Sequence, residues 1–505
     1  METPKTMDAS DVASGSIYLT VQSVFTNLIG VFGITYLARA ITQEQMGMLT
    51  AITLVNSFVQ VMSDFGLASS LPKFISELRG KGKDASAHIL AAAIFKVPIT
   101  FLPCLLLFVF SGEVSNTLFG TANRFDLVRL AVIDSFILGF TPIFNSVLLG
   151  SGLMKRIAFI GIFSTTVKWS FIVLLLLSGY GFYGTVIGWI IGNLTNLLLY
   201  IATSYRLLKR EETLFRHSIS LIPRILKFSW PLFVSVIVSF LYTWYDKAII
   251  LAFLPLTDLG IYDVSYKAFT VLVTLATTLG SALYPFYGMA HGKNDHQAIV
   301  SGIKKATRYL AIIVFPLALG LFSTAKPVIT LFAGQQYQSG WFILATLAAF
   351  GIVYGLLPAF TGLLVIYEKT KTVLLLSLVP VASSLCFLPL LWILGLNGLA
   401  VIRGVSLLFT FLLTVYFLSK IVKVEIDKEA VLKALASSAI MATTVLIIQQ
   451  VYYRLLLFPV YVAIGGVTYF ICIRIFKVLN ESDVSLIEKI VGKRIATIVR
   501  KTLIT

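Results

Sequence analysis

Fourteen apolar runs, each long enough to cross a lipid bilayer, follow one another along this 505-residue chain with only short loops between them. A membrane helix needs about 20 mostly apolar residues. The runs fall near 14–40, 46–72, 86–110, 125–150, 156–178, 182–205, 225–254, 259–288, 299–324, 339–366, 372–394, 397–420, 430–450 and 454–477. They are continuously apolar where a barrel strand would alternate, which excludes a closed β-barrel. The expected fold is therefore an all-α integral membrane protein with 14 transmembrane helices. Only 12% of the residues are charged, about half the share of a soluble domain. The three cysteines, Cys104, Cys386 and Cys472, all sit inside apolar runs, so no disulfide framework is expected.

The net charge of +17 does not point to nucleic acid once its location is read. Most of the 40 Lys and Arg lie in alternate loops: Lys73, Arg79, Lys81 and Lys83; Lys155 and Arg156; the run from Arg206 to Lys227; Lys293, Lys304, Lys305 and Arg308; Lys369 and Lys371; and Lys420 to Lys433. The intervening turns at Thr42–Gln45, Ser178–Gly181 and Phe332–Gly340 carry almost none. Positive loops stay on the cytoplasmic side, so both termini are expected there, in a multi-pass protein of the cell membrane. No cleavable signal peptide is expected, because the first 13 residues are polar and contain Asp and Glu. Residues 481–503 place Leu486, Ile487, Ile490, Val491, Ile495, Ile498 and Val499 at helical spacing among Lys489, Lys493, Arg494, Arg500 and Lys501. That pattern predicts a basic amphipathic helix on the inner membrane surface, with a frayed tail as the alternative.

The chain also repeats itself. Gly47, Pro72, Pro103 and Thr117-Leu118-Phe119 recur at one constant spacing as Gly260, Pro285, Pro316 and Thr330-Leu331-Phe332. Three residues are then gained, and Pro142, Phe144 and Lys155 recur as Pro358, Phe360 and Lys371. Six spans separate the partners, so the two repeats share one orientation, a plan common in transporters. The expected organisation is a six-helix lobe at 1–205, a cytoplasmic linker at 206–227 and a second six-helix lobe at 228–420. Helices 13 and 14 follow at 421–478, then the basic tail at 479–505.

Catalysis is not expected. No phosphate-binding G-x-x-x-x-G-K-[ST] loop occurs, and Gly288–Lys293 has the wrong spacing. His88, His217, His291 and His296 lie in or beside loops with no metal-ligand constellation, so neither a metal nor a cofactor is expected. Trp244-Tyr245-Asp246 faintly resembles a sugar-transfer motif, but the outer loops are too short to complete such a centre.

The informative residues are ionisable groups inside spans, where burial is expensive and usually faces the protein interior. Asp134 in the fourth span and Lys168 in the fifth lie at matching depth on sequence-adjacent helices and are expected to pair. Asp246 and Lys247 lie in the seventh span, Asp263 and Lys267 stand at i,i+4 in the eighth, and Lys96 lies in the third. Arg39 ends the first span and Arg403 opens the twelfth. Each has two readings: a cationic cavity for an anionic head group, or a pair or snorkelling side chain that holds helices in place.

Several stretches carry a resemblance across essentially the whole chain. Lys227-Phe-Ser-Trp-Pro-Leu-Phe, Asp246-Lys247-Ala-Ile-Ile-Leu and Leu259-Gly260-Ile-Tyr262 stand in order with Asp64-Phe-Gly-Leu-Ala-Ser-Ser-Leu-Pro-Lys73, Leu331-Phe-Ala-Gly-Gln-Gln-Tyr337 and Leu396-Asn-Gly398. The chain thereby resembles the polysaccharide/oligosaccharide (O-antigen type) flippase family of the multidrug/oligosaccharidyl-lipid/polysaccharide transporter superfamily. The resemblance implies two parallel six-helix lobes facing each other in a V, plus two C-terminal helices. It implies a monomeric flippase that carries polyprenyl-linked oligosaccharide from the cytoplasmic to the external leaflet by alternating access, for surface glycan assembly. Membrane lipids, and a coupling ion as a further candidate, are the implied partners. In peptidoglycan-precursor relatives, basic cavity residues bind the diphosphate and helices 13 and 14 form a groove for the lipid tail. A lipid-linked peptidoglycan precursor flippase, a cation-coupled multidrug antiporter and a non-transporting assembly partner are the competing readings. The antiporter branch typically has twelve helices and an acidic residue in its first helix, whereas segment 14–40 has no Asp or Glu.

Overall fold

A peptide group in hydrocarbon has no water to bond to, so a spanning segment satisfies its own N–H and C=O groups by coiling into a helix. The computed structural model describes residues 9–205, 214–281, 283–479 and 483, and among them every regular element is helical. Thirteen of these helices are long and apolar enough to cross a bilayer. Large apolar side chains on them, Phe32, Leu177 and Ile475 among others, stay exposed, as a lipid-facing surface requires. The expected amphipathic tail lies outside the described residues, apart from Asp483.

The eleventh predicted run, 372–394, is not one continuous span. It is a 17-residue helix, Thr370–Cys386, followed by a turn at Phe387–Leu388 and a six-residue helix, Pro389–Leu394. At 1.5 Å per residue the first piece reaches about 26 Å, less than the hydrocarbon thickness of about 30 Å. Pro389 has no N–H to continue a helix but suits the first turn of a new one. Two other runs end earlier than expected. The run at 46–72 breaks at Phe65 and Gly66, both at positive φ (49° and 75°). The run at 259–288 is divided between a helix ending at Ser281 and a short one starting at Tyr284.

Element order follows the sequence repeat, with one short helix, Pro389–Leu394, added in the second series. After α1 (Ala9–Ala40) come α2 (Gln43–Asp64), the short α3 (Leu67–Gly80), α4 (Ser86–Val109), the short α5 (Ser111–Phe119) and a 3-10 turn at Ala122–Arg124. Three long helices follow: α6 (Phe125–Gly150), α7 (Met154–Leu177) and α8 (Gly181–Ser204). The series then recurs as α9 (Leu214–Phe253), α10 (Leu256–Ser281), α11 (Tyr284–Gly292), α12 (His296–Ser323), α13 (Ala325–Ala333) and a 3-10 turn at Gln335–Gly340. It closes with α14 (Trp341–Ile366), α15 (Thr370–Cys386), α16 (Pro389–Leu394) and α17 (Leu396–Ser419). Outside the repeat stand α18 (Lys428–Val451) and α19 (Phe458–Ile475). Of the stretch expected to be a linker, 206–213 lies outside the described residues and 214–227 forms the start of the 40-residue α9.

The chain divides into two compact units, Met1–Gly260 and Ile261–Thr505. In the first, α7 and α8 approach through Gly184, Gly188 and Gly192, which face Leu175, Ile172 and Lys168. Small residues every fourth position allow such close backbone approach where lipid provides no hydrophobic drive. The first half of α9 seats on the α2–α3 break: Phe65 stacks on Phe233 at 4.5 Å, and Ser70 and Ser229 share a 2.7 Å hydrogen bond. Gly47 of α2 and Gly260 of α10, equivalent positions of the repeat, lie against each other. A Cβ on Gly47 would meet the Leu256 carbonyl, and one on Gly260 would meet the Gln43 carbonyl. In the second unit α12 packs between α14 and α18, and the Tyr469 hydroxyl of α19 donates to the Ile312 carbonyl at 2.6 Å.

Gly47→Leu is expected to lower thermal stability, by about 1–3 kcal/mol in the manner of an overpacked core. The matched control Gly30→Leu has open space around it and should leave the unfolding midpoint in detergent unchanged.

Candidate functional site

The first unit is organised around a carboxylate. Asp134 of α6 is buried and accepts the Asn56 side-chain amide of α2 at 2.8 Å and that of Asn193 of α8 at 2.7 Å. Ser135 donates to Asn56 at 2.7 Å, completing a polar hub that joins three spans. Lys168 stands on α7, which packs against both α6 and α8. Its stem packs against Gly192, and its ammonium lies 5.9 Å from the Trp169 ring. Asn56 and Asn193 are hydrogen-bond partners of Asp134, and neither asparagine stands out in the sequence.

Lys96 of α4 is 1% exposed, with its ammonium 3.8 Å from Asp64. Asp64 also accepts the Gly66 and Ala68 backbone N–H groups, each at 3.1 Å, and so caps α3 across the break. The pair therefore fixes the bend between α2 and α3. Asp246 and Lys247 are both buried on α9; Asp246 accepts the Lys247 backbone N–H at 2.9 Å, and the Lys247 ammonium stands 4.7 Å from the Trp244 ring. Arg39 is exposed at the end of α1.

In the second unit α10 presents Tyr262, Asp263, Tyr266 and Lys267 within two turns. Buried Asp263 pairs with half-buried Lys267 at 2.5 Å. Arg403 of α17 donates to the Tyr266 hydroxyl at 2.8 Å with its guanidinium 4.5 Å from the same ring. Tyr262, Tyr266 and Phe269 follow as a file of rings, and Tyr354 of α14 meets Phe269 edge-on at 6.2 Å. Flat rings beside a guanidinium suit sugar faces and anionic oxygens respectively.

Two further features lie in the second unit, the first of them at the two C-terminal helices, where the resemblance implies a groove for a lipid tail. The first is an apolar groove of about 360 Å³ between α12, α18 and α19, lined by Leu317, Gly320, Met441, Val445, Gly465 and Tyr469 among others. The second is a clasp at the base of α12. Arg308 donates to Asp427 at 3.0 Å and to Asp483 and the Val478 carbonyl at 2.6 Å each, while Tyr309 donates to Asp483 at 3.0 Å. Asp427 also caps α18 by accepting the Ala430 N–H at 3.1 Å. Arg308 reads in sequence as one more loop cation, because its partners lie more than a hundred residues away.

Asp134→Leu would leave the Asn56 and Asn193 amides unpaired, each costing about 1–3 kcal/mol; a clear drop in the unfolding midpoint is expected, with Asp134→Asn in between. At Asp427 burial pushes the carboxyl up, but the Ala430 N–H and the Arg308 guanidinium outweigh it and hold the group below its ordinary value. Its contribution is present above the unfolded carboxylate value near about pH 4 and is lost as pH falls through the lower folded value. The stability gap between the native protein and Asp427→Asn should therefore shrink as the buffer is taken from about pH 7 to about pH 3.

Comparison with known proteins fits this architecture. A family model described as polysaccharide biosynthesis protein matches residues 36–340. The chain is 23% identical over 443 residues to the "Probable low-salt glycan biosynthesis flippase Agl15" of Haloferax volcanii, covering 86% of this chain and 89% of that one. It is 24% identical over 328 residues to the succinoglycan biosynthesis transport protein ExoT of Rhizobium meliloti, 63% of each chain. Among solved structures, the lipid II flippase MurJ in an inward closed conformation superposes with a TM-score of 0.74 at 16% identity, over 91% of this chain and 98% of that one. An inward-facing multidrug resistance MATE family transporter reaches 0.60 at 12% identity, over 80% and 98%. Both structural likenesses speak to the fold: an all-α, multi-pass membrane architecture. With its family model spanning more than half of its length, the chain belongs to the polysaccharide biosynthesis protein family.

Proposed function

We propose that the protein is a flippase that moves polyprenyl-linked oligosaccharide from the cytoplasmic to the external leaflet of the cell membrane by alternating access. The observation that carries this reading is the pair α18 and α19. They lie outside the repeat and, with α12, enclose an apolar groove suited to a hydrocarbon chain. A lipid-linked glycan poses a specific physical problem, because its polar head costs several kcal/mol per unsatisfied group in hydrocarbon. A protein-lined polar route for the head, with the chain left in lipid or in an apolar groove, removes that cost. Lys168, Lys247 and Arg403, held inside spans beside aromatic rings, are the proposed contacts for the anionic linkage. Lys96, Asp64, Asp134, Asp263 and Lys267 are proposed to hold helices in register.

The relatives named above as a glycan biosynthesis flippase and a succinoglycan transport protein support this substrate class. Against drug export, the first span, Ile17–Ala40, carries no acidic residue; Asp11 precedes it within α1. The proposed orientation places both termini and the loops around residues 81, 155, 293 and 423 in the cytoplasm. The protein is proposed to act as a monomer and to need neither metal nor cofactor, with a coupling ion as its one further small partner.

Reconstituted into liposomes, the purified protein should translocate a fluorescent lipid-linked oligosaccharide. Efflux of small organic cations with no such translocation would replace the reading with drug antiport. Loss of one charge-assisted hydrogen bond is worth about 1.5–3 kcal/mol, so Lys168→Gln and Lys247→Gln should slow flipping by roughly tenfold or more at unchanged membrane insertion. Unaltered rates would return both lysines to a purely structural role.

A further inference from the structure

A second groove, of about 300 Å³, lies between α11 and α12. Its walls are the apolar side chains of Leu283, Phe286, Ala306, Leu310 and Ile313, and its polar members are Lys305 and Tyr309. Gly302 shapes it, because a Cβ there would run into the Phe286 ring, which instead lies against the helix. Lys305 is exposed and stands one turn from Tyr309 on the same face. The Tyr309 hydroxyl is held by Asp483 at 3.0 Å. Of the acidic residues near this end of α12, Asp483 is held by Arg308 at 2.6 Å, and Asp295 caps the helix by accepting the Ala298 N–H at 2.9 Å. Lys305 is the cation of the groove's lining.

The groove has a continuation. Gly302, Ala306, Tyr309 and Ile313 recur at three- and four-residue steps, and the same stripe of α12 runs on through Pro316, Gly320 and Thr324, which line the groove shared with α18 and α19. The two grooves are thus in line along one helix face, a single turn apart. From Lys305 to Thr324 the stripe covers about 28 Å at 1.5 Å per residue. That is close to the whole hydrocarbon core of about 30 Å, and about twice the depth of one leaflet. An ordinary acyl chain fills only its own leaflet, whereas a long polyprenyl chain reaches through both.

We propose that α12 carries a loading track for the lipid carrier: the phosphate of a long-chain polyprenyl phosphate or diphosphate meets Lys305, and its chain lies along the Gly302–Thr324 stripe. This rests on the flippase reading and adds to it a head-group residue and a path for the chain. The ammonium gives the anionic head a partner at the end where a cytoplasmic-leaflet substrate arrives in the proposed orientation. The apolar walls account for the chain, which free phosphate lacks. The length of the stripe separates a polyprenyl lipid from a phospholipid.

Binding to the full-length protein in nanodiscs tests the track, with four probes: a long-chain polyprenyl phosphate, farnesyl phosphate, phosphatidylglycerol and inorganic phosphate. The long chain should bind roughly tenfold or more tightly than the farnesyl analogue, and the other two should compete poorly. Lys305→Gln should weaken both prenyl phosphates by a similar factor, and Lys305→Arg should restore them. Ala306→Phe and Gly320→Leu, which obstruct the lower and upper grooves, should abolish the chain-length preference while farnesyl phosphate still binds. Equal binding of long and short chains, effective competition by phosphatidylglycerol or inorganic phosphate, or an unaffected Lys305→Gln would each overturn the track. Wild-type flipping in the liposome assay would stand in all those cases, so failure here is distinct from failure of the flippase reading.

Discussion

Hydrocarbon offers no partner to a polar group, and that single fact orders this molecule at two scales. At the scale of the backbone it makes every described element a helix. At the scale of side chains it requires each buried charge to be met within the protein, and the meeting points are where helices are tied together. Asp134 draws Asn56 and Asn193 onto α6, Lys96 meets the carboxylate that caps α3, and Arg403 rests on Tyr266. The cost of a polar group in lipid is converted into the register between neighbouring spans.

The same constraint bears on the substrate class proposed above. A chain that must move a hydrophilic head past lipid can do so only by offering the head polar company throughout. Cations fixed beside aromatic rings, such as Lys168, Lys247 and Arg403, offer such company. Pairs such as Asp263–Lys267, by contrast, satisfy themselves and have less to offer an incoming anion. The proposed division between binding and bracing residues rests on these surroundings.

Much of this was legible in the sequence, and the reasons for the exceptions are physical. Length and continuous apolarity locate the spans, because lipid imposes both. Proline and glycine coincidences locate the repeat, and the element order follows it, with the short α16 as an addition in the second series. Breaks inside apolar runs are harder to read. Nothing in the hydropathy of Asp64-Phe65-Gly66-Leu67 separates two helices; the break lies in two positive φ angles and a carboxylate turned onto backbone N–H groups. Arg308 is the clearest case of a missed partnership. Charge position along the chain identifies it as a loop cation, while its bonds to Asp427 and Asp483 depend on how α18 and α19 return to α12. A pattern local in sequence cannot report a contact made by the fold.

The contact between Gly47 and Gly260 has a consequence of its own. Where equivalent positions of an internal duplication touch, the surface is self-complementary in the way a twofold dimer interface is. Here glycine stands on both sides, with each backbone seated against the carbonyl of the other helix. Neither position can therefore accept a side chain unless the other helix backs away, and the pair sets the separation of α2 and α10 at this point.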